Sequence, residues 1–109
     1  MPGRRGRHRC QRWVTDVPDV QFFKPAGVPP SSLRVVELTI DEVEILRLVD
    51  IDGLTQEDAA FKMGISRRTL WSDLMNVRKK VAYALVNGQA IHIRGGAYAV
   101  AGANEKRRK

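Results

Sequence analysis

The chain contains a single cysteine, Cys10, in 109 residues. That excludes an internal disulfide and a zinc site built from several thiolates. His8 is the only other metal-ligand type beside it, which leaves too few donors for a metal. Aromatics make up only 6% of the chain, which weighs against the stacking platforms that single-stranded RNA recognition favours. No apolar run approaches the ~20 residues of a membrane span. No apolar segment follows the basic N-terminus, so it does not read as a secretory signal. A soluble cytoplasmic protein is expected. Catalytic signals are missing as well: His8 and His92 have no evident partners, Ser31 and Ser32 sit in a proline-rich stretch, and no phosphate-binding glycine loop occurs. The reading is a binding protein without a cofactor, not an enzyme.

What is present is charge, unevenly placed. The chain has 19 Lys and Arg against 12 Asp and Glu, with a pI of about 10.2. Arg4, Arg5, Arg7, Arg9 and Arg12 fill the first 12 residues with no acid among them. Residues 33–60 carry a local net charge of −6, and residues 67–80 a net of +4. The chain ends Lys106-Arg107-Arg108-Lys109. Positive charge clustered on defined segments is the electrostatic footprint of a nucleic-acid binder.

Residues 1–12 lack apolar periodicity and read as a disordered basic arm. Val20, Phe22 and Phe23, bounded by Pro18 and Pro25, suggest a short extended segment at 20–24. Thr39-Ile40-Asp41-Glu42 is a capping box that opens a helix over about 40–51. Its acids suit the helix dipole, and Asp41, Glu42 and Glu44 are explained by capping and helix solvation. Thr55 caps a second helix over about 55–63, ended by Gly64. Ser66 caps a third, whose Leu70, Leu74, Val77, Val81 and Leu85 form one stripe, so it runs over about 67–86. Ile91 and Ile93 alternate with His92 and Arg94, which predicts a short strand paired with the 20–24 segment. Residues 97–109 read as a loose basic tail. The expected fold is mainly all-α: a trihelical core over 13–96 with short terminal strands and disordered basic ends.

Helix, Gly64-Ile65-Ser66 turn and longer helix have the anatomy of a helix-turn-helix. Arg67 and Arg68 start the second of these helices, where the backbone already presents positive partial charge. A residue pair that opposes its own helix points to an external anion or acceptor. In helix-turn-helix docking, the N-terminal residues of the second helix reach base edges in the major groove. With Leu70 and Leu74 inward, Arg68, Ser72, Asn76 and Lys79 point outward, and Arg67 and Trp71 lie on the flanks. An arginine gripping guanine O6 and N7 supplies about 1–3 kcal/mol of discrimination. Phosphate contact without readout is the competing reading for the pair. Trp71 either packs against the first helix of the motif or faces DNA. Arg78, Lys79 and Lys80 suit backbone phosphates, as does Thr55 at the neighbouring helix start. Asp73 reads as a salt-bridge partner of Arg67 or Arg78. Arg4, Arg5 and Arg7 form either a minor-groove arm or a nonspecific tether.

The stretches FFKPAGVP (22–29), LTIDEVEILRLVDIDGLTQEDAAFKMGISRRTLWSDL (38–74) and RKKVAYALVNGQAI (78–91) together resemble a family of small, uncharacterised bacterial and archaeal proteins predicted to bind DNA. The resemblance covers about residues 12–96. The helix-turn-helix in turn is similar to region 4 of bacterial sigma factors, which binds the promoter −35 element. The resemblance implies sequence-specific binding of double-stranded DNA and a role in transcriptional regulation. It places sigma-type base contacts on Arg67, Arg68, Trp71 and Ser72. Asp73 departs from the pattern, which usually has an apolar residue there. A homodimer is an expected arrangement, since one recognition helix rarely supplies enough specificity. The alternatives are an RNA- or ribosome-associated binder, or an adaptor that contacts RNA polymerase, using the same basic surface.

Overall fold

Three residues start the three helices for one physical reason. Thr39, Thr55 and Ser66 keep extended backbones, and each side-chain oxygen accepts from the N–H three residues on, at Glu42, Asp58 and Thr69. At Thr39 the box closes both ways, because Glu42 Oε1 accepts the Thr39 N–H at 2.9 Å. The computed structural model describes residues 11–101. In it, α1 spans Ile40–Ile45 and continues as a π-helical segment, Leu46–Ile51. Helix α2 spans Gln56–Met63 and α3 spans Arg67–Asn87. The arm residues Arg4, Arg5 and Arg7 and the final basic run lie outside the described residues.

The mainly all-α expectation is overturned. Among the described residues, five strands accompany the helices: β1 (Arg12–Val14), β2 (Phe22–Phe23), β3 (Val35–Leu38), β4 (Ala90–Ile93) and β5 (Tyr98–Val100). They form two small sheets, so the fold is an α/β mix. One sheet has the order β2-β4-β3. In it, β4 pairs antiparallel with β2, Phe22 facing His92, and parallel with β3, Val36 facing Ile91. The other sheet joins β1 and β5 in parallel, with Trp13 opposite Ala99. Arg12 and Tyr98–Val100 therefore belong to strands and not to loose ends. The physical reason is that β1, β3 and β5 are three or four residues long and are held by partners at least fifty residues away. Their local pattern is too short to register as a two-residue period.

Two apolar clusters hold the layers together. Ile45, Leu48, Ala59, Ala60, Met63, Leu70 and Leu74 form the core of the three helices. Val14, Leu38, Ile40, Val77 and Ile93 seal the sheets against α1 and the middle of α3. The α3 stripe continues through Val81 to Ala84, which is 1% exposed, and Leu85 is turned outward at 75% exposure.

Gly96 fixes the corner between the sheets. Its φ is +99°, and a Cβ there would overlap Asp41 Oδ1 and lie 2.8 Å from Thr39 Cβ. Gly96→Ala is expected to destabilise by about 1–3 kcal/mol from backbone strain alone, with the clash added. A urea midpoint lowered at unchanged m-value checks this.

Candidate nucleic-acid interface

The turn between α2 and α3 depends on a backbone only glycine adopts easily. Gly64 sits at φ 74°, ψ 33°, in the left-handed region. The Ile65 N–H then closes onto Ala60 O at 3.0 Å. Trp13 of β1 lies against the turn, since a Cβ on Gly64 would be 3.5 Å from its Cδ1. Ala59 and Ala60 are small and buried, and Met63, Leu70 and Leu74 have no exposed surface. The inner faces of α2 and α3 are thus fully used, and the outer face at the start of α3 presents Arg67, Arg68 and Ser72 beside Trp71.

Arg67, Arg68, Ser72 and Lys79 are exposed on α3. Trp71 is 52% exposed. It lines an open depression with Gln56, Arg67 and Arg68. An adjoining depression shares Gln56, Arg67 and Trp71 and adds Thr55 and Glu57. The indole therefore stands outward beside the two guanidiniums instead of packing in the core. Ser66 is committed to capping: its Oγ accepts from Thr69 N–H at 3.0 Å and donates to Thr69 Oγ1 at 2.9 Å. Among the described residues, no hydrogen bond or ion pair engages the side chains of Arg67, Arg68 or Lys79. The charge of Arg67 and Arg68 meets the positive end of α3 with no ion pair to offset it among the described residues.

The remaining candidates are placed differently. Asn76 Nδ2 donates to Glu42 Oε2 at 3.1 Å. Lys80 Nζ donates to both Glu42 carboxylate oxygens and to Glu37 O. Both side chains thus tie α3 to the start of α1. Arg78 pairs with Asp50 at 2.6 Å on the surface, and that hydrogen bond raises the pKa of its guanidinium above its ordinary value. Thr55 Oγ1 accepts from Asp58 N–H at the α2 cap, which leaves its own hydroxyl proton to donate.

Asp73 pairs with Arg12, at 2.5 Å, and not with Arg67 or Arg78. Arg12 also reaches Asp41 at 3.1 Å. The Arg12 side chain is 9% exposed and joins α1 to α3 from β1. Asp41 and Glu44 are buried and paired, not solvated: Glu44 accepts from Thr15 Oγ1 at 2.6 Å and from Arg47 Nε at 3.0 Å. The acidity of residues 33–60 is in this way largely answered within the fold, and the cations at the start of α3 are not.

Two residues of this region escaped sequence reasoning. Gln56 lines both depressions, and its place at the first position of α2 beside the Thr55 cap was the available signal. Arg12 closes a run of five arginines in twelve residues and so reads as part of the arm, and nothing local marks it as a buried link. Among the described residues, no helix is long and apolar enough to cross a membrane, and no cluster of His, Cys, Asp or Glu side chains is arranged to hold a metal ion.

A family model described as "Protein of unknown function DUF134" matches residues 1–101. A UPF0251 protein of Methanosarcina acetivorans is 60% identical over 94 residues, covering 86% of this chain and 84% of the relative. A UPF0251 protein of Methanococcus vannielii is 47% identical over 106 residues, covering 97% and 82%. One from Caldanaerobacter subterraneus is 48% identical over 91 residues, covering 84% and 77%. No solved structure matches the chain significantly.

Proposed function

We propose that this chain, which belongs to the family described as Protein of unknown function DUF134, binds double-stranded DNA sequence-specifically through α2 and α3 and acts as a transcriptional regulator. One observation carries the reading: Arg67 and Arg68 stand without a partner among the described residues, beside an outward Trp71, at the start of a capped helix. In this reading the first two turns of α3 enter the major groove. Arg68 and Ser72 meet base edges, Arg67 grips a base edge or the flanking phosphate, and Trp71 covers a thymine methyl or a sugar. Thr55 and Gln56 at the start of α2, with Lys79 on α3, hold the phosphate backbone. Arg78 is free to reach a phosphate once its exposed pair with Asp50 opens, a contact of little intrinsic strength. Arg4, Arg5 and Arg7 supply further salt-dependent affinity.

Titrating labelled duplex DNA against unlabelled RNA competitor at several salt concentrations tests this. Duplex is expected to win, with log affinity falling linearly against log salt. RNA displacing duplex at equal concentration contradicts the proposal. Lys79→Ala is expected to weaken preferred and random duplexes alike and to lower the salt slope by about one unit. An unchanged slope removes Lys79 from the contact set.

A further inference from the structure

The far end of α3 has a different character from its start. Residues 81–93 contain no Asp, Glu, Lys or Arg, in a chain with 28% charged residues and a net charge of +7. Leu85 is 75% exposed there, and Phe23 of β2 is 52% exposed. Both line a groove that runs between the end of α3 and the β2-β4 edge, floored by Ala84 and Ile91, with Lys24 the only charged residue on its wall among the described residues. A solvent-facing leucine on a helix whose stripe has already closed on Ala84 contributes nothing to the monomer's core.

We propose that this groove is the interface for a second copy of the chain, related by a two-fold axis near Leu85. Charge selects that occupant. Two copies of a protein at +7 repel, and this end of α3 brings no charge of its own to a contact, which leaves Lys24 on the groove wall as the cation the two copies must keep apart. The arginines at the start of α3 stay about 20–30 Å away, beyond the ~8 Å screening length of physiological salt. Helix length makes the arrangement useful. From Leu85 to the middle of the first turns is roughly 23 Å at 1.5 Å per residue. Two such segments about a two-fold axis lie up to about 45 Å apart if collinear and closer if the helices cross, a range that includes the ~34 Å between half-sites one DNA turn apart. An isologous interface of this kind places the same patch on both sides. The usefulness of the spacing rests on the DNA-binding reading; the interface itself does not.

Sedimentation equilibrium of the full chain, without DNA, is the test. The wild type is expected to dimerise at tens-of-micromolar concentration. Leu85→Glu and, separately, Phe23→Ser are each expected to raise the dimer dissociation constant by about a hundredfold, as loss of a central interface residue does. Both side chains are exposed in the monomer, so the helical circular dichroism stays unchanged. On a random-sequence duplex too short for two copies, wild type and Leu85→Glu then bind with equal affinity. A wild type that remains monomeric throughout overturns the proposal and gives the groove to some other partner. Variants that dimerise as the wild type does overturn it too. Dimerisation lost in the variants, with no duplex bound by any of the proteins, supports the interface and counts against DNA binding instead.

Discussion

Arg12→Met is expected to cost about 3–5 kcal/mol of stability, the range for removing one partner from a buried ion pair. The guanidinium lies between Asp41, whose side chain is 1% exposed, and Asp73, 27% exposed. Without it, two carboxylates from different helices face each other across a site that water reaches poorly. A surface pair of the same geometry contributes about 0–1 kcal/mol, so the measured value reports how buried this link is. Adding Asp73→Asn to Arg12→Met is expected to restore part of the loss, because it removes one of the two carboxylates that face the guanidinium. The double-mutant cycle isolates the coupling. Urea denaturation provides all three values. A loss below about 1 kcal/mol for Arg12→Met shows that the bridge contributes only as a surface pair does.

Arg68→Ala has the opposite profile. It is expected to weaken binding to a preferred duplex by about 1–3 kcal/mol, roughly five- to 150-fold, with a much smaller effect on random duplex. Folding stability is expected to stay level or to rise by about 0.3–1 kcal/mol, because an uncompensated cation leaves the positive end of α3. Fluorescence anisotropy on both duplexes, paired with urea denaturation, reads the two quantities on one protein. Equal losses on both duplexes remove the base-readout role, and a fall in stability shows that Arg68 has a partner in the fold. Together the two variants separate the chain's arginines into one kind that holds the fold and another that strains it.

The same division explains what the sequence discloses. Helix starts are local events: Thr39, Thr55 and Ser66 are followed within three residues by everything their caps need, so they can be read in order along the chain. The α3 stripe is legible through Leu70, Leu74 and Val77 for the same reason. Its end is not, because whether Ala84 or Leu85 faces inward depends on where β4 lies. The strands are non-local throughout. β1 is paired with β5 across most of the chain, and three residues such as Arg12-Trp13-Val14 carry no sign of it. The polar network follows the strands. Once β1 crosses the helices, Arg12 meets Asp41 and Asp73. Asp73, which departs from the sigma-like pattern, has its physical account there: it anchors α3 to the N-terminal strand. In the candidate interface, Arg68 and Ser72 can be picked out by helical phase once Leu70 and Leu74 fix the inward direction, and Arg67 and Trp71 fall on the flanks, where the sigma-type resemblance names them. Asn76 shares the outward phase, and Lys80 belongs to the basic run 78–80 that suits phosphates. Both bind Glu42, a contact only the packing of α1 on α3 creates.

Selecting bound sequences from a pool of random double-stranded DNA, with RNA present as competitor, tests the central claim most directly. An enriched duplex motif that survives the competitor is expected, with Arg68→Ala relaxing at least one position within it. A pool that stays random, or a protein captured entirely by the RNA, contradicts it.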